Sequence, residues 1–254
     1  MLLTIDVGNT QTHIGMFRDD ELIEHWRFAT SRTTTNDELA IRVAALLRLR
    51  GLTLDEVDGA IVASVVPQQD QEWQALNERY FHGRLLMVEP GIKLGMPVRT
   101  DNPREVGADR LMNAVAAYDR IGGACIVVDF GTSINYDVVS SEGEYLGGAI
   151  APGIQISMDA LTQRAARLIK VEIEDPGVAI GRSTQAAIRS GIVYGFAGQV
   201  DGIVGRIREE LGVDATTIAT GGLASTIAPF CDEIDEVDDL LTLTGLRLVW
   251  ARNR

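Results

Sequence analysis

The sequence predicts a duplicated α/β protein, two halves of similar plan that each open with a three-strand meander and continue as alternating strands and helices. Three observations predict it. Residues 2–10 read Leu-Leu-Thr-Ile-Asp-Val-Gly-Asn-Thr and residues 125–133 read Cys-Ile-Val-Val-Asp-Phe-Gly-Thr-Ser, an apolar strand running into Asp-x-Gly and small polar residues. The two copies stand 123 residues apart, close to half of the 254-residue chain. Each copy is followed by two more strand-like stretches around a polar turn, and strand and helix signals then alternate, as in a repeated layered domain.

In the first half, Thr12 to Phe28 reads as a pair of strands turning at Asp19-Asp20. Thr35 and Glu38 form a capping box ahead of Leu39, Val43, Leu46 and Leu47, which recur at helical spacing. Ala60 to Val66 reads as a buried strand, Gln68 to Phe81 as a second helix and Leu85 to Val88 as another strand. From Gly107 the chain is helical, with Leu111, Ala114, Val115 and Tyr118 on one face. The second half repeats the meander from Asn135 to Ile150 around Ser141-Glu142-Gly143. A long helix from about Thr184 to Leu211 follows, then a short strand, Thr217 to Thr220, ending in Gly221-Gly222. Ala224 onward and Leu240 to Ala251 read as helical. The halves are taken as residues 1–121 and 122–254.

Along the long helix, Gly191, Gly195, Gly198, Gly202 and Gly205 recur at steps of four and three, leaving one face without side chains. Glycine costs about 1 kcal/mol per helical position relative to alanine, so close approach of another backbone is expected there, inside the chain or across a dimer.

Composition bounds the function. With 46% apolar and 23% charged residues, the chain has the make-up of a soluble globular protein, and no apolar run reaches membrane-spanning length. A net charge of −13 repels a nucleic-acid backbone or an anionic membrane, so neither is expected as a partner. The start, Met1-Leu2-Leu3-Thr4-Ile5-Asp6, lacks a basic region and meets a carboxylate at once, so no secretory leader is expected. Cys125 and Cys231 have no second Cys or His at metal-ligand spacing, which favours two buried thiols in a reducing, cytoplasmic setting. The two lysines, Lys93 and Lys170, lie outside any Gly-x4-Gly-Lys-Ser/Thr loop, which excludes a Walker-type site. His13, His25 and His82 show no spacing that suggests a relay or a metal site. His13 stands in the first loop, where it can touch phosphate, and structural roles are expected for the other two.

A strand that ends in Asp and turns through Gly puts a carboxylate and several backbone N–H groups at one mouth, the outline of a phosphate and metal site. In the first copy Gly8 permits the turn, Asn9 and Thr10 offer side-chain donors, and Asp6 can hold Mg²⁺ directly or through water. The second copy repeats this with Asp129, Gly131, Thr132 and Ser133. Facing one another across a cleft, the two turns could grip a nucleoside triphosphate. Thr220-Gly221-Gly222-Leu223-Ala224 is a bare turn into a helix against which adenine or ribose could lie, although read alone it is a simple glycine turn. Likewise Asp109-Arg110, read alone, is an ordinary helix start beside a surface arginine. The helix N-terminus is expected to favour the charged form of Asp109.

In this order, Asp-x-Gly-x-Thr, Asp-x-Gly-Thr and Gly-Gly resemble the phosphate 1, phosphate 2 and adenosine motifs of the actin, sugar kinase and Hsp70 superfamily. Within it, five segments together resemble type III pantothenate kinase over nearly the whole chain. They are Asp6-Val7-Gly8-Asn9-Thr10, Ser64-Val65-Val66-Pro67, Asn102-Pro103 with Val106-Gly107-Ala108-Asp109-Arg110, Asp129-Phe130-Gly131-Thr132, and Gly147-Gly148-Ala149-Ile150-Ala151-Pro152-Gly153.

The resemblance implies duplicated ribonuclease H-like, actin-like ATPase domains with a cleft between them, and ATP-dependent phosphorylation of pantothenate to 4′-phosphopantothenate, the first step of coenzyme A biosynthesis. It implies that Asp6, Val7, Gly8, Asn9, Thr10, Gln11, Thr12 and His13 line the ATP phosphates, with Mg²⁺ at Asp6 through the phosphate site, and that Thr132 contacts ATP. Gly107, Ala108, Asp109 and Arg110 would hold pantothenate, with Asp109 the general base, and Asp129 would coordinate K⁺ or NH₄⁺. Thr184 would reach pantothenate from the neighbouring subunit of a homodimer whose active site lies at the subunit interface. Two departures stand out. Thr100 occupies a position where many members carry Tyr, and Ser133-Ile134-Asn135-Tyr136 replaces the commoner Ala-Thr-Thr-Phe, variation expected to lie outside the chemistry. Two other readings keep the fold: a kinase for another small acceptor, a sugar or a carboxylate, and a non-catalytic accessory or regulatory protein. The presence of Asp6, Asp109, Arg110 and Asp129 together speaks against the last.

Overall fold

The computed structural model describes residues 1–81, 83–165 and 168–254. In chain order the elements are β1 (Leu2–Val7), β2 (Gln11–Arg18), β3 (Glu21–Ala29), α1 (Asn36–Arg48), β4 (Gly59–Ser64), α2 (Pro67–Leu76), β5 (Arg84–Met87), α3 (Ala108–Ile121), β6 (Cys125–Phe130), β7 (Ser133–Val139), β8 (Tyr145–Pro152), α4 (Ile154–Arg164), α5 (Thr184–Leu211), β9 (Thr216–Thr220), α6 (Ala224–Ile227), β10 (Glu236–Val237) and α7 (Leu241–Arg252).

The duplication is visible in the two five-stranded sheets. The first runs β3-β2-β1-β4-β5 and the second β8-β7-β6-β9-β10, the same order read in the same sense. In each, three antiparallel strands form the meander and the last two lie parallel to the first. Parallel pairing needs a crossover, which supplies the intervening helices.

Two compact units emerge. One comprises residues 1–96, 102–116 and 242–254, and the other residues 97–101 and 117–241. Against the expected halves, 1–121 and 122–254, residues 97–101 and 117–121 group with the second unit, and residues 242–254, nearly all of α7, group with the first. The cause is close packing: a Cβ on Gly245 would come within 2.0 Å of the Met112 carbonyl oxygen, and Thr242 Oγ1 donates to Asn113 Oδ1 at 2.7 Å. A Cβ on Gly59 would fall 2.4 Å from the Trp250 indole. Periodicity marks α7 as a helix but does not say which sheet it returns to.

Within the first unit, Leu3, Ile5, Val7, Ile14 and Met16 alternate inward and meet Leu39, Val43 and Leu47 of α1 and Trp73 and Leu76 of α2. Each such side chain contributes about 1.5–3 kcal/mol by leaving water. The capping box is present: Glu38 N donates to Thr35 Oγ1, and Thr35 N donates to Glu38 Oε2 at 2.9 Å. β4 stops at Ser64, two residues short of the expected Val66. There Ser64 Oγ accepts from Val66 N at 3.1 Å and donates to Val66 O, folding the chain directly into Pro67 at the first position of α2. The helix expected to Phe81 is α-helical to Leu76 and π-helical over Asn77–Phe81.

In the second unit Ile126, Val128, Phe130, Ile134 and Tyr136 form the core with Met158 of α4 and Val193, Val200 and Val204 of α5. α5 spans the expected residues, with Ser183 as N-cap and Gly212, φ 65°, as its left-handed stop. α4 was not expected. Cys125 is buried and Cys231 half-buried, both as free thiols, and burial pushes each up to about 12. Among the described residues no helix is long and apolar enough to cross a membrane.

Candidate active site

The polar turns fall at the carboxyl ends of the parallel strands, where α/β sheets leave room for ligands. In the first unit the chain reverses between β1 and β2 at residues 8–10. Gly8 N donates to Gln11 O at 3.0 Å, and a Cβ on Gly8 would approach that oxygen to 2.9 Å, so the turn requires glycine. Asn9, Thr10 and Gln11 are exposed, whereas the Val7 side chain is core and only its backbone can face a ligand. Thr12 is buried and pairs with Thr30, Oγ1 to Oγ1 at 2.8 Å, while Thr30 N donates to Thr10 O. The turn is thus tied to the end of β3. Asp6 stands directly opposite His13 on β2.

His13 is not isolated. Its Nε2 lies 3.1 Å from Nδ1 of His25, with the rings edge-to-face at 5.3 Å, and Arg27 Nε donates to the same Nε2 at 3.5 Å. Sequence spacing suggests no relay or metal site among the histidines, yet the β2–β3 hairpin closes a 12-residue separation and brings these two into contact. Burial, then Arg27 and His25, hold His13 down at about 3. His82, expected to be structural, lies outside the described residues.

Asp109 sits in the first turn of α3. Its Oδ1 accepts the backbone N–H of Arg110 at 2.9 Å and occupies the space beside residue 107, where a Cβ would lie 2.5 Å away. Gly107 is therefore what lets the carboxylate fold back over the helix start. Ahead of it Asn102 accepts from Arg104 N and donates to Glu105 Oε1, shaping the short 3₁₀ turn Pro103–Glu105. Removal from water raises the Asp109 carboxyl above its ordinary value, outweighing the Arg110 N–H and guanidinium that lower it. This reverses the expected direction, because desolvation exceeds the helix-end contribution.

In the second unit Asp129, on β6, faces Asn135 of β7 on one side and Thr220 of β9 on the other. Gly221, φ 93°, wraps against it, and a Cβ there would fall 2.4 Å from Asp129 Oδ1. The adenosine-like Gly-Gly turn and the second Asp turn are thus one structure. Thr132 is exposed on the turn that follows, and Gly153 packs against it, since a Cβ would come within 2.1 Å of the Thr132 carbonyl oxygen. Ser133 Oγ donates to Asn135 Oδ1 at 3.0 Å. The stretch expected to vary outside the chemistry therefore lies on the strand against Asp129. The methyl of Thr100 lies 3.5 Å from where a Gly147 Cβ would be, and Thr100 Oγ1 is buried without a hydrogen-bond partner among the described residues. Thr184 is exposed at the first position of α5, beside Ser183, whose Oγ accepts from Ala186 N at 3.2 Å.

No group of three or more His, Cys, Asp or Glu among the described residues could hold a metal ion. The donors around Asp6 and Asp129 are carboxylate, hydroxyl, amide and carbonyl oxygens, which suit hard cations that keep part of their coordination for water or phosphate. Asp129, cradled by a glycine that leaves its carboxylate room, fits such an ion.

Residues 2–206 match the family description "Type III pantothenate kinase". A type III pantothenate kinase from Myxococcus xanthus is 49% identical over 253 residues, covering 100% of this chain and 99% of the relative. One from Acidothermus cellulolyticus is 52% identical over 254 residues, with 100% and 99% covered. Among solved structures, a Campylobacter jejuni protein described as of the Baf family of transcriptional activators superposes with a TM-score of 0.61 at 18% identity, covering 99% and 98% of the two chains. The ROK hexokinase of Thermus thermophilus does so at 0.54 and 13%, covering 100% and 99%. These likenesses show the fold, that of duplicated ribonuclease H-like, actin-like ATPases. At about half of all positions shared from end to end with these relatives, and matching the family description over residues 2–206, the chain belongs to the type III pantothenate kinase family.

Proposed function

We propose that the protein transfers the γ-phosphoryl group of ATP to the primary hydroxyl of pantothenate, giving 4′-phosphopantothenate and ADP at the entry to coenzyme A biosynthesis. The observation that carries this reading is the Asp109 carboxylate, seated over Gly107 and made more basic by its removal from water. A group of that kind accepts the proton of an alcohol as its oxygen attacks phosphorus and the bond from the γ-phosphorus to the bridging oxygen breaks. Arg110 beside it carries the complementary charge for phosphate or for the pantothenate carboxylate. Gly107 and Ala108 complete that side of the pocket through their backbone.

ATP phosphates would lie along Asp6–His13, taking hydrogen bonds from the turn, and Thr132 would contact the nucleotide from the second unit's turn. Mg²⁺ near Asp6 and K⁺ or NH₄⁺ at Asp129 would offset the charge of the triphosphate, which a chain with two lysines and a net charge of −13 is otherwise poorly equipped to meet.

The reading includes a cytoplasmic homodimer in which Thr184 completes the neighbour's pantothenate site. Its support is the face of α5: Cβ atoms built on Gly191, Gly195, Gly198 and Gly205 meet nothing within 4 Å, and one on Gly202 meets only the Arg206 side chain. Internal packing among the described residues does not account for those glycines, and exposed Tyr194 beside them and Ile180 ahead of them supply apolar area. ADP release with pantothenate, set against glucose and acetate, tests the activity. Release with glucose or acetate alone points to another acceptor, and no release with any of them to a non-catalytic protein.

A further inference from the structure

The first sheet carries a group of basic residues on the same side as Asp6. Val7, Ile14 and Met16 point into the core, and Trp26 and Phe28 pack against it, so strand alternation turns Asp6, His13, His25 and Arg27 to the opposite face. Across the ladder Asp6 pairs with His13, and His13 with Arg27, forming one row from the phosphate turn to the outer strand. His25 is paired with Gly15, whose lack of a side chain leaves the imidazole free to lean diagonally onto His13.

Arg27 Nε and His25 Nδ1 converge on His13 Nε2, and because a guanidinium N–H only donates, the 3.5 Å contact suits the His13 tautomer that accepts at Nε2 and carries its proton on Nδ1. Arg27 is exposed, and among the described residues it has no carboxylate partner. Arg50, Arg79, Arg99, Arg120, Arg208 and Arg247 each pair with Asp or Glu; exposed Arg18, Arg32, Arg48 and Arg104, like Arg27, do not among the described residues, and what sets Arg27 apart is its place in the ladder row of His13 and Asp6. A guanidinium left without an acid, in a strongly acidic chain and on the strand beside β2, which leads out of the turn at residues 8–10, is suited to an anion with several oxygens.

We infer that Arg27 is a ligand of the ATP polyphosphate, reaching it from β3 past His13, and that His25 is a positioning residue that holds the His13 ring. The inference rests on the reading of residues 6–13 as the phosphate turn. It adds a second side-chain cation to a site whose other positive groups are Arg110 and bound ions.

The test is an equilibrium titration with the β,γ-imido analogue of ATP and, in parallel, with adenosine followed by ligand-observed NMR. Arg27→Gln is expected to weaken the triphosphate by roughly 10- to 100-fold, with adenosine affinity and the KM for pantothenate changed less than about twofold; Arg27→Lys, keeping the charge but not the fork, falls between. A merely structural role moves both ligands together. His25→Asn is expected to shift the His13 ring ¹⁵N signals towards mixed tautomers and to raise the KM for ATP with little change in kcat. Unchanged analogue affinity in Arg27→Gln that melts like the wild type overturns the inference, and if that variant melts early, wild-type affinity in Arg27→Lys does so. In that event loss of turnover in Asp109→Asn still upholds the kinase reading. A wild-type chain that binds the analogue but releases no ADP with pantothenate overturns the kinase reading instead and leaves Arg27 standing.

Discussion

Asp109 Oδ1 accepts the Arg110 backbone N–H at 2.9 Å from a position that any side chain on residue 107 would invade. The base is thus held by its own helix start, and its carboxyl is raised chiefly by loss of water. Asp109→Asn is isosteric, so fold and ATP binding should persist while turnover falls by roughly 10²- to 10⁴-fold, as read by ADP release and by analogue titration.

The same shift sets a pH dependence of stability. With the folded value above the ordinary 3.8, the native state holds the proton that the unfolded chain has released, so stability falls as pH rises from 3.8 through the folded value, and the cost is full above it. Asp109→Asn should therefore melt no lower than the wild type at pH 7 to 8, and higher if nothing else changes. Circular dichroism melts should show that advantage shrinking as the pH is lowered towards 3.8.

Gly107→Ala places a methyl 2.5 Å from Asp109 Oδ1. The carboxylate must swing away, and a displacement of about 1 Å costs on the order of 10²-fold in rate. We expect kcat to drop by roughly that factor with ATP affinity preserved. Equal kcat in the two proteins would detach Asp109 from the reaction.

Around Asp129 the glycine cradle and oxygen donors lead to a cation response. Activity should collapse in Na⁺-only buffer and return with K⁺ or NH₄⁺, and Asp129→Ala should abolish the difference. Equal rates in all three salts would remove the site.

The bare face of α5 separates assembly from folding. A Cβ at Gly198 meets nothing within 4 Å among the described residues, so Gly198→Leu should not unfold the protomer and gains about 1 kcal/mol of helix propensity. It should nevertheless yield monomers in sedimentation and little activity. Mixing Asp109→Asn chains with Thr184→Trp chains should restore part of the activity after exchange, because one site of each mixed dimer then has both contributions intact.

Much of this was legible in the residues. The echo of Asp6-Val7-Gly8 in Asp129-Phe130-Gly131 announced two sheets of one order, and Thr35 with Glu38 located α1 because a capping box is a local device. What stayed hidden depends on contacts between distant residues. His13 and His25 meet only when a hairpin closes, and Asn135 reaches Asp129 only through strand register. The direction of the Asp109 shift follows from burial, which spacing does not encode. α4 left a faint trace, Gly153 followed by Ile154 and Met158 one turn apart, but 11 residues with two buried apolar anchors carry a weak period.

The return of α7 to the first unit bears on how the chain is made. Leu243, Leu246 and Val249 are fully buried, Arg247 reaches Asp20, and Asn253 bonds Lys93 on both backbone groups, so the unit that begins with the first strand finishes with the last helix. A ribosome must therefore deliver the chain through α7, past all of the second unit, before the first unit can close. Until then the apolar edge awaiting Trp250 and its neighbours is open to chaperones, proteases and other nascent chains, whereas the continuous run 117–241 has all its own sheet partners already synthesised.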